Sequence, residues 1–285
     1  MRCLRNNNHY LHGLMRRMGW TAVPLLLLII WQVSAIRLGK PWLFPTVTRV
    51  LVQLLHPLRD HYASGSLLSN TMISIFRVVI GFVAASLAGI ILGILMGSVR
   101  WLRSLLEPMV EIIRPLSPIA WLPFAIAVFK LNTLSHLFGL GYSRTILDQV
   151  QLGMLFVIFV GGFFPILINT IDGVAGVRQN YILLGRSLGA NPAQIFIHVY
   201  LPAALPMILT GLKHALARCW MVIIAAEMMA GIDSGIGYLL VYAADNAAMD
   251  LVIAIMVIIG TIGALLSYFI RRVMRPFIRW HGKEV

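Results

Sequence analysis

Long apolar stretches separated by short polar segments run through the whole chain. Several of them approach or exceed the roughly 18–20 residues that a helix needs to cross the hydrocarbon of a bilayer. The pattern predicts an all-α membrane protein with six transmembrane helices, at about residues 20–36, 71–97, 106–129, 152–171, 204–230 and 251–270.

The first apolar run follows a basic N terminus and could be a signal peptide. No convincing small-residue cleavage site follows it, so we expect an uncleaved first span. Residues 47–58 show helical apolar spacing and are predicted to lie along the membrane surface.

The sequence therefore divides into two regions. Residues 1–69 hold the N-terminal cytoplasmic tail, the first transmembrane helix and an extracytoplasmic amphipathic segment, and residues 70–285 form the core transmembrane domain with a cytoplasmic loop at 178–206.

The second and third predicted spans carry different internal signals. Four prolines interrupt the third span, and the backbone carbonyls that they free need partners in lipid. Small residues recur every four positions along the second span, a spacing that lets another helix approach closely; they are Gly81, Ala85, Gly89, Gly93 and Gly97. We therefore expect the second helix at the centre of the bundle, and the third surrounded by protein or lining a wet cavity.

The composition agrees with a membrane protein. At 59% apolar and 12% charged residues, with a mean hydropathy of +0.86, the chain is too apolar for a soluble domain of its length. The basic residues behind its net charge of +13 sit mostly at the ends of apolar runs, which favours membrane lipids as partners and not nucleic acid. By the positive-inside rule, they place both termini and the loop at 178–206 in the cytoplasm.

Ionisable residues inside spans are costly and mark either a function or a buried pair. Arg77 and Lys213 lie near enough to the ends of their spans for the charged groups to reach the membrane surface. Glu111 and Arg114 are three residues apart on one helix and can pair with each other.

Arg218 differs because it falls near the middle of the fifth span. Glu227 lies nine residues further on, half a turn out of phase, so the two cannot meet within one helix. Two interpretations of Arg218 remain open: a buried pair across helices, with Glu111, Asp172 or a second copy, or a charge that faces a transport pathway. The candidate residues for a pathway or a buried ion pair are Arg218, Glu227, Glu111 and Arg114.

Motifs for catalysis and metal binding are missing from the sequence. No G-x-x-x-x-G-K-[ST] phosphate loop occurs, and neither a nucleophile–base pattern nor an H-E-x-x-H zinc motif is found. The 8 His residues form no metal-binding cluster, and Cys3 and Cys219 form neither a metal-ligand spacing nor a disulfide framework. We therefore expect no catalytic residue, no metal site and no cofactor in this chain.

The polar loop at 178–206 has an internal order of its own. Gly185 and Gly189 can each break a helix, and Asn191-Pro192 can restart one, since asparagine suits a cap and proline a first turn. A short helical piece follows at 193–199, and prolines punctuate the entry into the next span. A helix–break–helix of this kind can seat in the groove of another protein.

Gly189 also anchors a longer motif. Val199, Leu201 and Pro202 follow it at the spacing of the loop motif of ATP-binding-cassette (ABC) importer permeases. At the front of the motif the chain departs from the family, because residues 183–185 read Leu-Leu-Gly where the family has Glu-Ala-Ala. The run RSLGANPAQIFIHVYLPAALPMILTGL, together with residues 73–97 and 108–123, resembles the nitrate, sulfonate, taurine and bicarbonate permeases of that family.

The resemblance covers roughly residues 70–280 and implies a type I ABC importer-like transmembrane domain in a bacterial or archaeal cytoplasmic membrane. It implies a homodimer that binds a cytoplasmic ABC ATPase dimer, which would hold ATP and Mg, and an extracytoplasmic substrate-binding protein that delivers a small oxyanion. The ATPase-coupling residues would be Leu183, Leu184, Gly185, Arg186, Ser187, Leu188, Gly189, Ala190, Asn191 and Pro192.

The missing acid at Leu183 suggests that attachment to the ATPase is apolar. We expect Leu184, Leu188 and Ala190 to insert into the partner, with Arg186 at the rim of the contact. The alternative class, a self-sufficient channel or ion-coupled secondary carrier, would suit six spans and a mid-span arginine. It would explain neither the loop motif nor the lack of an evident internal repeat.

Overall fold

The computed structural model describes residues 22–60, 65–130, 132–137, 146–229 and 232–278. The predicted N-terminal tail with Cys3 and the last basic residues, Arg279 and Lys283, lie outside the described residues. The described chain is helical apart from turns and two isolated antiparallel bridges. The helices are α1 (Ala22–Leu38), α2 (Val47–Leu55), α3 (Leu67–Ser98), α4 (Arg100–Ile113), α5 (Leu122–Phe129), α6 (Leu134–Leu137), α7 (Leu152–Ala175), α8 (Gln179–Ser187), α9 (Pro192–Ile195), α10 (Leu201–Met229), α11 (Ile236–Asp245) and α12 (Met249–Ile278).

The all-helical membrane fold is confirmed, while the predicted count of six spans is approximate. By length and composition, 4 of the described helical segments can cross a membrane, or up to 5 if a bent pair counts as one broken span. The apolar helices α1 and α11 are shorter than these. The segments that qualify alone are Leu67–Ser98, Leu152–Ala175, Pro192–Met229 and Met249–Met274.

The predicted third span is the bent pair and not one straight helix. α4 ends at Ile113, and the following segment, Pro118–Phe129, runs at 92° to it. Pro115 and Pro118 lie at the bend, where the missing N–H and the proline ring prevent a continuous helix. Residues 114–117 are exposed in this chain, so the broken backbone lies on the surface of the subunit.

The small residues of α3 form its contact with α7, as the sequence predicts. A Cβ atom built on Gly81 or Gly93 would lie 2.6 Å from a side-chain atom of α7, far inside van der Waals contact. Ala85 lies between them and is completely buried. The helix in the middle is α7, contrary to the expectation for α3, because α7 packs against both α3 and α10.

Replacing Gly93 by leucine is expected to destabilise the bundle. The added side chain would collide with Thr170 of α7, and overpacking of a tight contact costs typically about 1–3 kcal/mol. Gly260→Leu on α12 is the matched control, because a Cβ atom there meets no atom within 4 Å. Thermal unfolding in detergent compares the two variants. Equal melting temperatures for Gly93→Leu and the parent would contradict this packing.

Candidate functional site

The loop segment, residues 178–206, is built on a helix end that requires glycine. α8 ends at Ser187, and Gly189 follows with φ of +78°, in the left-handed region. The N–H of Gly189 donates to the carbonyl of Arg186, and the N–H of Ala190 donates to the carbonyl of Gly185, each at 3.0 Å. These two bonds form a Schellman motif, which satisfies carbonyls that the helix end would leave free. The helix break predicted at Gly189 is confirmed.

The restart of the helix at Asn191 is also confirmed. The Asn191 side chain accepts from the N–H of Gln194 at 2.8 Å, and the Gln194 side chain accepts from the N–H of Asn191 at 2.9 Å. This reciprocal pair is a capping box, with Pro192 in the first turn of α9. The direction of the chain is therefore set by local hydrogen bonds within the loop segment itself.

Two expectations for the loop segment are wrong. Gly185 lies inside α8 and does not break it; a Cβ atom there would lie 3.5 Å from Ile195, an ordinary van der Waals contact. The prolines after residue 200 do not separate α9 from the next span either. A five-residue π turn at Phe196–Tyr200 joins α9 to α10, and Pro192–Met229 is one continuous helical segment.

A small core of its own holds the loop segment together. Val177, Ile182 and Ile195 are buried, and further side chains pack against them: Ala190, Val199, Tyr200 and Ala203. Ala190 is partly buried against this core, so only part of its surface is free for the contact with a partner that the sequence predicts. A rigid unit of this kind presents its outer side chains in fixed positions.

The outer face of the loop segment is apolar. Leu184 is 59% exposed and Leu188 is 79% exposed, although both are large apolar side chains. Arg186 and Ser187 are exposed beside them. An open cleft of about 830 Å³ lies between this face and the ends of α7 and α10; its lining includes Asp172, Arg178, Tyr181, Leu184, Leu188 and Met207. Exposed apolar side chains on a rigid unit are typical of a protein-binding surface.

Inside the bundle, Arg77 of α3 and Glu227 of α10 form a buried ion pair. The Arg77 Nη1 atom lies 2.7 Å from Oε1 of Glu227, and both side chains are 0% exposed. Arg77 also donates to the carbonyl of Gln149 and to the hydroxyl of Ser234. The expectation that Arg77 reaches the membrane surface is wrong, because its charge is neutralised inside the protein.

The ion pair also holds the start of α11. Glu227 accepts from the N–H of Gly237 at 2.9 Å, and Ser74 accepts from the N–H of Ile236 at 2.9 Å. Asn70 accepts from the N–H of Gly235 at 2.8 Å. The first N–H groups of a helix have no partner within the helix, so three side chains from α3 and α10 satisfy them here. α11 is thereby fastened to both neighbouring helices.

Glycine is required where α11 begins. Gly235 has φ of +116°, and a Cβ atom there would lie 2.4 Å from the carboxyl group of Glu227. The signal that sequence reasoning missed was the spacing of Asn70, Ser74 and Arg77, which puts three polar side chains on one face of an apolar helix. Such a polar row inside a span indicates a buried network.

The other charged candidates lie on the surface of the subunit. Arg218, Glu111 and Arg114 are exposed, and in the described part of the chain none of them belongs to an ion pair. The predicted pairing of Glu111 with Arg114 is not found, since α4 ends at Ile113 and the chain bends there. The sequence left open whether Arg218 has an acidic partner on another helix. Among the described residues no ion pair includes Arg218, and Glu227 pairs with Arg77 instead.

An apolar helical bundle with a buried ion pair, and a compact loop segment outside it, define a membrane-embedded protein. Comparison with known proteins agrees. The family described as binding-protein-dependent transport system inner membrane component matches residues 85–280. The chain belongs to this family and is a multi-pass membrane permease component.

Individual relatives match over most of their length. A putative ABC transporter permease protein of Methanocaldococcus jannaschii is 42% identical over 91% of this chain and 90% of its own. The bicarbonate transport system permease protein of Synechococcus elongatus is 35% identical, over 88% and 86% of the two chains. The taurine transport system permease protein of Escherichia coli is 33% identical, over 92% and 88%.

Proposed function

We propose that this permease imports a small oxyanion such as a sulfonate, nitrate, taurine or bicarbonate. Two copies of the chain form the membrane part, a separate ABC ATPase dimer holds ATP and Mg, and a separate binding protein delivers the substrate. The substrate class is supported by the relatives named for bicarbonate and taurine. An exposed arginine in the middle of α10 is compatible with an anion.

The loop segment faces the cytoplasm in this proposal, and so do both termini. Support comes from the Lys and Arg residues outside the spans, most of which fall at the termini, in the turn at 98–103 and in the loop segment. The membrane is the cytoplasmic membrane of a bacterium or an archaeon. The start of α11 and the buried ion pair then lie towards the extracytoplasmic side, because α3 begins there and α10 ends there.

The observation that carries the proposal is the apolar outer face of the loop segment. Leu184 and Leu188 stand on a unit that is held by its own core and by two capping motifs. Such a unit can transmit force from a partner without deforming. ATP-driven closure of the ATPases would draw the two loop segments together and switch the bundle between inward-open and outward-open states. A self-sufficient channel or carrier would leave these leucines in water without a role.

High salt is expected to leave the complex with the ATPase nearly intact. Salt shortens the Debye length from roughly 10 Å at 0.1 M to 3 Å at 1 M, which screens rim charges but not buried apolar contacts. Pull-down of the ATPase at both salt concentrations measures this. Leu188→Glu should abolish the complex, while Arg186→Gln on the same turn should change its amount less than about twofold. Loss of the wild-type complex at high salt would refute apolar attachment.

A further inference from the structure

Arg218 is a charge that the described part of this subunit leaves unpaired inside a span. It lies about 26 Å from the first residue of α10 and about 17 Å from the last, at 1.5 Å per residue, which is near the middle of the helix. No ion pair joins it to an acidic group of the described residues, whereas Arg77 in the same bundle is fully neutralised. Arg218 therefore differs in kind from the buried arginine.

Arg218 belongs to one continuous face of α10. Apart from Leu201 and Met229 at its two ends, the exposed residues of this helix recur at intervals of three, four and seven, which puts them on one side; they are Met207, His214, Arg218, Met221 and Met228. The neighbouring face, with Ala215, Cys219 and Val222, is buried. A helix that faced lipid along this side would hold a guanidinium in hydrocarbon, at a cost of at least about 2.5–3.5 kcal/mol. The face must therefore meet water or polar groups.

The bend in the third span lies beside this face. Pro118 and Val222 both pack around Gly161 of α7, where a Cβ atom would lie 3.7 Å from the proline and 3.2 Å from the valine. Val222 is one turn beyond Arg218, so the broken backbone at 114–117 adjoins the same depth of the membrane. Irregular backbone at this depth is tolerated only within protein or along a water-filled cavity, and residues 114–117 are exposed in the subunit. Two separate elements, Arg218 and the backbone at 114–117, thus need polar surroundings at one depth of the membrane.

The same face opens at the loop end of the bundle. Met207, the first residue of this face from the loop end, lines the cleft between the loop segment and α7. The exposed face of α10 therefore extends from the cleft past His214 to Arg218. In the described residues, the acidic group that lines the cleft is Asp172, and Met207 in the same lining lies about 17 Å from Arg218 along the helix axis.

We propose that Arg218 is the anion-binding residue of a water-filled passage along this face of α10. Its guanidinium offers paired N–H donors that match two oxygens of a sulfonate, nitrate or bicarbonate. His214, one turn nearer the loop end on the same face, supplies a second donor. This inference rests on the proposed import of an oxyanion and names the residue that makes the passage selective for negative charge.

The test measures the charge preference of the passage without needing the transported substrate. Cys3 and Cys219 are replaced by Ser and Ala, and Met221→Cys places a thiol three residues from Arg218 on the same face. The complete importer in proteoliposomes is treated with an anionic reagent (sulfonatoethyl methanethiosulfonate) or a cationic one (trimethylammonium-ethyl methanethiosulfonate). For each reagent, the rate of reaction with the protein thiol is divided by the rate at which the same reagent reacts with the neutral thiol 2-mercaptoethanol in solution. The ratio of the normalised anionic rate to the normalised cationic rate is then compared between variants.

The thiol at residue 221 should react, and the ratio should favour the anionic reagent. Arg218→Gln should lower the ratio about tenfold, since it removes a full charge next to the thiol, and Arg218→Lys should keep most of it. Lys213→Gln, which removes a charge from another face of the same helix, should change the ratio less than about twofold. Leu87→Cys, exposed on α3 towards lipid, should not react with either reagent.

Three results would overturn the proposal. The first is that the thiol at residue 221 stays unreactive both without nucleotide and with ATP. The second is that the anionic-to-cationic ratio of the Met221→Cys protein with Arg218 intact, the parent ratio, favours the cationic reagent. The third is that Arg218→Gln leaves this ratio unchanged. The parent ratio decides the matter even if Arg218→Gln fails to fold. Failure of the ATPase pull-down would refute the proposed import mechanism while leaving this ratio as it is, so the two proposals fail separately.

Discussion

Replacing Arg77 by methionine is expected to eliminate most of the folded permease from detergent extracts. The change leaves the Glu227 carboxylate buried without its counter-charge, 0% exposed and tied to the start of α11. Removing one partner of a buried ion pair costs about 3–5 kcal/mol, a large part of the 5–15 kcal/mol that typically separates folded from unfolded protein. Size-exclusion profiles and thermal unfolding of the solubilised protein measure the loss.

The chain supplies its own control for this experiment. Arg103 and Glu107 on α4 form a second ion pair at 2.9 Å, with side chains 37% and 44% exposed. Arg103→Met should cost about 1 kcal/mol or less, because water replaces the lost partner. Arg77→Met combined with Glu227→Gln should restore much of the stability, since glutamine is uncharged and still accepts from Gly237. If Arg77→Met were as stable as Arg103→Met, the buried pair would not matter for folding.

Replacing Gly189 by valine is expected to lower ATP-driven transport on the order of tenfold or more while the bundle stays folded. A non-glycine residue in the left-handed region costs roughly 1–2 kcal/mol, and a β-branched one is the least tolerated. The Schellman turn would open and displace Leu188 from the position that the ATPase meets. A Cβ atom at residue 189 meets no atom within 4 Å, so the strain stays in the loop segment.

Two variants separate backbone strain from the loss of glycine itself. Gly189→Asn should transport almost normally, because asparagine tolerates the left-handed region. Gly185→Ala should fold as well as the parent, since its methyl group would lie 3.5 Å from Ile195, an ordinary contact inside a helix. Co-purification with the ATPase and uptake of taurine, nitrate or bicarbonate provide the readouts. Normal transport by Gly189→Val would refute the role assigned to the loop segment.

Features that depend on neighbouring residues were predictable from the sequence. Apolar length predicts the helices, the four-residue spacing of glycines predicts the contact of α3, and Gly189 with Asn191-Pro192 predicts the turn of the loop segment. The helices and the turn rest on interactions within one segment, where residue type and spacing determine the geometry. The glycine spacing predicts that α3 makes a close contact, but not that α7 is its partner.

Features that depend on distant residues were not predictable. Arg77 and Glu227 are 150 positions apart, and the residues around each of them do not predict that α3 and α10 bring the two side chains together. Because Arg77 lies near the end of its span, the sequence favoured a guanidinium at the membrane surface. In the fold, Arg77 is buried next to α10, where the Glu227 carboxylate pairs with it. Likewise the prolines predict a break in the third span, but residue types do not predict that its two parts run at 92° to each other. Sequence spacing alone carries no information on these.

The continuous helical segment Pro192–Met229 forms a long rod through the permease. Its 38 residues span about 57 Å at 1.5 Å per residue, from the loop segment to the glutamate that fastens α11. The ion pair anchors the far end of this rod, so under the proposed coupling a force applied at α9 would rotate the rod about Glu227. Displacement is then greatest near the cleft and smallest at Glu227, with Arg218 between them. The chemical energy released outside this chain would thus reach the middle of the membrane as a change in angle.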